Sequence, residues 1–245
     1  MTLVIRILTP LVWLVCRILY RIEFHGVENV PLTGACIITP NHQTFLDPIW
    51  ITIPMRRRIY YMAWAKVFEI PVLGFLMRIF GAFPVRLDAV DPAAQKQAAD
   101  VLKGERALVI FPEGGRTTTG GLMPFKLGAF RLALGGGTPI VPVAIDGGYG
   151  VWPVGKLLPG LGKLTITYLP PIEVERLSED ISNAELKRLA RALAEKTRER
   201  IQTVLPGAKP ADSAELEGEL KGELKESAGR EIEARAQSSG DPVNS

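Results

Sequence analysis

The chain has 245 residues, 47% of them hydrophobic, enough to bury a sizeable core in one domain or at most two. Its two cysteines, Cys16 and Cys36, lie in apolar surroundings without CxxC spacing, which argues against a disulfide framework or a zinc site and fits a reducing compartment. The formal charge of +3 is uneven: residues 205–245 hold five Lys/Arg against nine Asp/Glu, and the preceding residues hold 24 against 17, a basic body suited to phosphate or an anionic membrane surface.

The opening "MTLVIRILTPLVWLVCRILYRIEF" is mostly apolar but carries Arg6, Arg17 and Arg21. At about 100° per residue, Arg17 falls about 20° from Arg6 and Arg21 about 40° further on, so a helix here presents the three on one face with Trp13 close by. That is the pattern of a helix lying in a membrane interface, and the alternative is an ordinary helix facing the core. A spanning helix needs roughly 20 uninterrupted apolar residues, and Pro10 bends the stretch. No A-x-A cleavage pattern follows.

Seven runs then read as strands: "RIEFHG", "ACIIT", "RIYYMA", "GAFPVR", "ALVIFP", "PIVPVAI" and "KLTITYLP". Between them "DPIWITI", "PVLGFLMRIF", "DPAAQKQAADVLK" and "PFKLGAFRLALGGG" have helical length or periodicity, with Gly135 to Gly137 as a helix stop. The alternation predicts an α/β fold: a single domain with a mostly parallel mixed sheet flanked by helices, its ligands gathering beyond the strand ends. A last helix spans about Asn183 to Val204. The boundaries are therefore an interface helix over 1–21, a core domain over 22–205, and a charged tail over 206–245 that has little to bury and is expected to be disordered. The apolar run "IPVLGFLMRIFGAF" suits packed core or an acyl groove, and Arg56 to Arg58 suit a solvated turn or a headgroup contact.

Chemistry concentrates in a few places. In "TPNHQTFLDPIW", His42 and Asp47 follow a strand and precede a helix, where imidazole is the natural base near neutral pH and a carboxylate on its other nitrogen fixes the tautomer. The plainer reading makes Asp47 an N-cap before Pro48. No serine precedes Ser178, which removes a Ser-His-Asp triad from the core and leaves a substrate hydroxyl as the economical nucleophile. "FPEGGRT" ends a strand in a glycine turn with Arg116; Arg86 closes "GAFPVR"; Lys126 lies near a helix start. Three cations at strand or helix ends suggest a phosphate cradle. Neither the P-loop nor the dinucleotide fingerprint is present.

In this order and at these separations, "NHQTFLD", "GAFPVR", "FPEGGRT" and "IVPVAI" resemble the four motif blocks of the glycerolipid acyltransferase family, whose best-known members are bacterial 1-acyl-sn-glycerol-3-phosphate acyltransferases. The resemblance covers roughly Ile22 to Pro171. It implies His42 as base and Asp47 as its orienter, supported by Asn41; Arg86, Glu113 and Arg116 on the acceptor's glycerol phosphate, with Gly114 shaping that turn; and Lys126 at a basic position after the third block. Pro142, in the fourth block, is implied on the acyl side. The third block departs from the family's FPEGTRS at Gly115 and Thr117, which bears on the acceptor headgroup. The implied reaction moves a fatty acyl group from an acyl-CoA or acyl carrier protein thioester to lysophosphatidic acid, giving phosphatidic acid without an acyl-enzyme, a metal or a resident cofactor. Glycerol 3-phosphate or another lysolipid as acceptor, or a non-catalytic lipid-binding module, are the alternatives. The implied partners are membrane phospholipid and these substrates, not nucleic acid. The implied location is monotopic, on the cytoplasmic face of the inner membrane.

Overall fold

The computed structural model describes residues 3–86, 91–178 and 180–205; the tail expected over 206–245 lies outside the described residues, as does the side chain of Arg6. A helix, α1 (Leu3–Tyr20), leads into seven strands: β1 (Glu23–His25), β2 (Cys36–Pro40), β3 (Ile59–Trp64), β4 (Ala82–Val85), β5 (Ala107–Val109), β6 (Ile140–Asp146) and β7 (Thr165–Tyr168). The connecting helices are α2 (Asp47–Trp50), α3 (Pro71–Ile79), α4 (Pro92–Lys103), α5 (Gly128–Gly136) and α6 (Gly148–Val151), and α7 (Asn183–Gln202) closes the described chain. All seven expected strands form. Expected helix "DPIWITI" is shorter, ending at Trp50 and continuing as turns, and α6 is an addition that periodicity in "GGYGVW" did not announce.

The strands make one mixed sheet in the order β1-β7-β6-β2-β5-β3-β4. Five neighbouring pairs are parallel, and β6–β7 is the antiparallel one. β2 is buried along its whole length, as a central parallel strand covered on both faces must be. Alternation sorts its side chains: Cys36 and Ile38 join the core under α1 and α2, and Ile37 joins the core under α4, α5 and α7. The chain leaves β2 toward β3 on one side and leaves β5 toward β6 on the other. Right-handed crossovers in opposite directions put their helices on opposite faces and open a crevice at the carboxyl ends of β2 and β5.

Two local features follow from the sequence directly. Gly137 ends α5 in a left-handed conformation (φ 62°), the stop expected of the glycine run. α1 ends at Tyr20, and Arg21 stands beyond it at φ 43°, so Arg21 does not continue the helical arginine face. Cys16 and Tyr20 of α1 are buried while Leu11, Leu14, Val15 and Ile18 are exposed, so the helix has both a core-facing row and an unpartnered outer row. No described helix is long and apolar enough to cross a membrane.

Candidate active site

Beyond β2 the ladder to β6 ends at the Pro40–Val143 pair, and a side chain takes over from the backbone. Asn41 Nδ2 donates to the Ile145 carbonyl (3.0 Å) and its Oδ1 accepts Ile145 N–H (2.7 Å), a two-bond clamp that replaces one rung and fixes where the turn departs. The next residue is His42. Its Nδ1 lies 2.8 Å from Asp47 Oδ2. The same Oδ2 accepts the N–H groups of Gln43 (2.6 Å) and Thr44 (2.8 Å), and Thr44 Oγ1 donates to Oδ1 at 2.8 Å. Asp47 is wholly buried. Three donors from Gln43 and Thr44 fill this carboxyl, which makes it the acceptor toward the imidazole and places Nδ1 as donor, with Nε2 on the side of the ring away from Asp47. The helix-cap reading fails in detail. α2 is capped at Leu46 without a side-chain bond, and the Asp47 carboxylate turns back onto the His42 turn.

The "PEGGR" turn after β5 pins the histidine from the other side. Glu113 Oε1 accepts His42 N–H at 3.3 Å, Thr117 N–H donates to the His42 carbonyl at 2.9 Å, and the Phe111 ring stacks on the imidazole with centroids 4.0 Å apart. The His42 side chain is 18% exposed, so its ring is held on most sides and open on one. Burial pushes the Glu113 carboxyl up to about 9, an effect the His42 N–H opposes and the nearby Asp47 charge reinforces. Glu113 is buried and pushed toward its neutral form, with the Met123 backbone N–H and the Arg198 charge also opposing the rise.

Arg116 and Lys126 flank this turn. The Arg116 guanidinium lies 3.4 Å over the centre of the Phe45 ring, and Phe45 in turn meets Trp152 edge-on. Partial burial lowers the Arg116 guanidinium from its ordinary range, and attraction to Asp47 opposes this. Lys126 crosses Gly114 so closely that a Cβ there would lie 2.7 Å from the lysine Cε, and Gly114 adopts φ 70°. The left-handed backbone favours glycine at that position, and a Cβ would displace only the flexible end of Lys126. Thr117 supplies a buried hydroxyl that accepts Gly120 N–H (3.1 Å). At Gly115 a Cβ would meet nothing, which leaves open space beside Arg116.

Two further expected site residues, Arg86 and Pro142, make no contact with His42 or Asp47 among those described. Arg86 leaves the edge strand β4, three strand spacings or about 14 Å across the sheet from the end of β2, and its Nε is 3.6 Å from Asp91. Pro142 is buried within β6, in register with Thr39, and its carbonyl accepts Leu169 N–H at 2.9 Å. Sequence reasoning passed over Thr44, Phe111 and Gln43, whose Oε1 accepts Tyr149 N–H at 3.1 Å. Only Thr44 had a local signal, a hydroxyl three residues before a carboxylate in a turn. The residues Pro48, Ile49 and Thr52 of the α2 region and Leu73, Leu76 and Phe80 of the α3 region line a mostly apolar cavity of about 300 Å³, which Arg57 and Arg58 also border and which His42 and Asp47 do not line. "IPVLGFLMRIFGAF" is therefore cavity wall as well as packing. Of the three arginines, Arg57 is tied to the carbonyls of Pro31, Gly34 and Glu105 and holds loops together.

A family model described as Acyltransferase matches residues 21–146, the span from β1 to the end of β6 that contains His42, Asp47, Glu113, Arg116 and Lys126. The chain belongs to this acyltransferase family. Among acyltransferase relatives, a chloroplastic 1-acyl-sn-glycerol-3-phosphate acyltransferase of Brassica napus is 33% identical over 142 residues, covering 56% of this chain and 40% of that protein. A Bacillus subtilis 1-acyl-sn-glycerol-3-phosphate acyltransferase is 27% identical over 179 residues, covering 73% and 87%. The crystal structure of the 1-acyl-sn-glycerophosphate acyltransferase from Thermotoga maritima superposes with a TM-score of 0.59 at 26% identity, covering 74% of this chain and 72% of that one. This acyltransferase chain spans 40%, 39% and 57% of the length of the first three plant relatives it matches.

Proposed function

We propose that the protein transfers a fatty acyl group from an acyl thioester, acyl-CoA or acyl carrier protein, to the free hydroxyl of 1-acyl-sn-glycerol 3-phosphate, giving phosphatidic acid. The observation that carries this reading is the His42–Asp47 pair, 2.8 Å apart, with the imidazole open on one side at the crevice between β2 and β5. Arg116 and Lys126 around Gly114 supply positive charge for the acceptor's phosphate, and the mostly apolar cavity lined by the α2 and α3 regions suits an acyl chain. Arg86 would join the phosphate cradle only by leaving Asp91. Relatives named for this reaction support the choice of acceptor.

In the proposed reaction Nε2 of His42 takes the proton of the acceptor hydroxyl as its oxygen bonds to the thioester carbonyl carbon. Asp47 stabilises the imidazolium that forms. The tetrahedral oxyanion then collapses, the carbon–sulfur bond breaks, and the departing thiolate receives the proton from Nε2. Base catalysis of this kind contributes about 10² to 10⁴ in rate, and positioning contributes much of the rest. The absence of an acyl-enzyme is supported by both cysteines being buried and by the Cys36 thiol being pushed up to about 11. The outer row of α1, with Arg17 5.4 Å from the Trp13 ring centre, supports seating on a membrane surface, for which we propose the cytoplasmic face of the inner membrane.

The test is thioester consumption by purified protein in detergent with and without lysophosphatidic acid, the product identified by mass spectrometry. Acceptor-dependent thiol release with phosphatidic acid as product supports the reading; release that ignores the acceptor rejects it. A panel including glycerol 3-phosphate and other lysolipids separates the acceptors, to which the open space at Gly115 is relevant.

A further inference from the structure

The segment between α6 and β7, "WPVGKLLPGLGKL", touches the site only through Trp152, which meets Phe45, yet it holds the most exposed leucines described. Leu157, Leu158 and Leu161 are 87%, 70% and 77% exposed. The loop has defined anchors: Trp152 Nε1 donates to the Lys156 carbonyl (2.8 Å), Gly160 N–H to the Val151 carbonyl (2.8 Å), and Leu164 N–H to the Tyr20 carbonyl (3.0 Å). The fold therefore holds three large apolar side chains out in water, where they lose the burial that normally favours them. The Leu164–Tyr20 bond and a second from Gly162 N–H to the Leu19 carbonyl (3.4 Å) join the loop to the end of α1. The leucines thereby stand beside the helix whose outer row, Leu14 and Ile18, is also exposed.

Charge at this corner is mostly positive, with Glu23 beside Lys163 as the exception. No Asp or Glu occurs between Asp146 and Glu173, and none in the first 22 residues. Lys156 and Lys163 bracket the leucines and are exposed, Lys163 reaching Glu23 at 3.1 Å; Arg17 and Arg21 are exposed at the end of α1. Apolar tips rimmed by cations match the boundary between headgroups and acyl chains of an anionic bilayer; an apolar face alone would not choose that partner. We propose that the loop Val154–Leu161 inserts into the boundary region of an anionic membrane as a second anchor beside α1. The inference rests on the membrane seating given above, but makes a separate claim about a separate segment. Two anchors on adjoining segments would fix the tilt of the domain, where one helix alone permits rocking.

The test places an environment-sensitive fluorophore on Leu158→Cys, which labels selectively because Cys16 and Cys36 are buried. Vesicles of phosphatidylcholine with and without phosphatidylglycerol are added, and sedimentation is measured in parallel. A several-fold rise and blue shift in emission on phosphatidylglycerol vesicles, weakened by salt, supports insertion. A Leu157→Asp/Leu161→Asp variant with an unchanged unfolding midpoint should partition about tenfold less or weaker still, while turning over detergent-dispersed substrate normally. Protein that sediments with vesicles while the probe stays dark overturns the loop proposal and leaves α1 as the anchor. Failure to sediment at all overturns both readings. A probe that responds to acyl carrier protein and not to vesicles also overturns insertion, in favour of a protein partner.

Discussion

Glu113→Gln tests whether the carboxyl under His42 is neutral in the folded chain. Burial raises this group from 4.5 to about 9, so between those values the folded protein holds a proton that the unfolded chain has released. With more protons bound in the folded state, stability falls as pH rises through that window, by about 1.4 kcal/mol per pH unit from this group alone. Below pH 4.5 both states are protonated and the contribution is flat; above about 9 both are ionised and it is flat again. Glutamine keeps the oxygen that accepts His42 N–H and has no ionisable proton, so the pH dependence contributed by this position disappears. The variant should match wild type near pH 4 to 5 and gain on it steadily, reaching a difference of a few kcal/mol by pH 8. Urea unfolding at several pH values, followed by far-ultraviolet circular dichroism, measures this directly. A wild-type-minus-variant difference that stays constant with pH, or that grows in favour of wild type as pH rises, would refute a buried neutral Glu113.

Three further variants separate the roles of neighbouring groups. Asp47→Asn can keep its oxygen toward the imidazole and the N–H groups of Gln43 and Thr44 while turning its amide toward the rotatable Thr44 hydroxyl, so the protein should fold with about 2 to 4 kcal/mol less stability as charge-assisted bonds become neutral ones. Its kcat should fall by about 10² or more, because the imidazolium loses its ionic partner; unchanged kcat would count against Asp47 as orienter. Arg116→Ala should raise the acceptor KM about tenfold or more with little change in the thioester KM, and parallel changes in both would contradict a phosphate-binding role. Gly114→Ala should lose stability by about 1 to 2 kcal/mol from its left-handed backbone, the flexible end of Lys126 moving aside at little cost; an unfolding midpoint equal to wild type would refute the backbone argument.

How much of this was readable beforehand depends on whether the cause is local. The seven strands, the Gly137 stop and the His42–Asp47 turn are set by residues within a few positions of one another, and the sequence announces them. The meeting of the His42 turn with "PEGGR" follows from the sheet placing β2 beside β5, a pairing the alternation of helices and strands implies only in outline. Strand direction at the far edge, where β7 turns antiparallel to β6, has no local cause and was not legible. Arg86 shows the same limit: its place at a strand end was correct, but strand order puts that end at the sheet edge, where Asp91 takes the guanidinium. Helix α1 has a core-facing side, as the plainer of its two readings expects, and an exposed outer side. Buried Cys16 and Tyr20 coexist with exposed Leu14 and Ile18 because a helix has two sides.

The central claim is that the imidazole of His42, set by Asp47, removes the acceptor's proton. Its most direct test is single-turnover acyl transfer by His42→Ala beside wild type, at saturating thioester and lysophosphatidic acid, with circular dichroism confirming the fold. The account predicts that phosphatidic acid formation drops by about 10² to 10⁴ while both substrates still bind. Formation at the wild-type rate by a folded His42→Ala protein would contradict it.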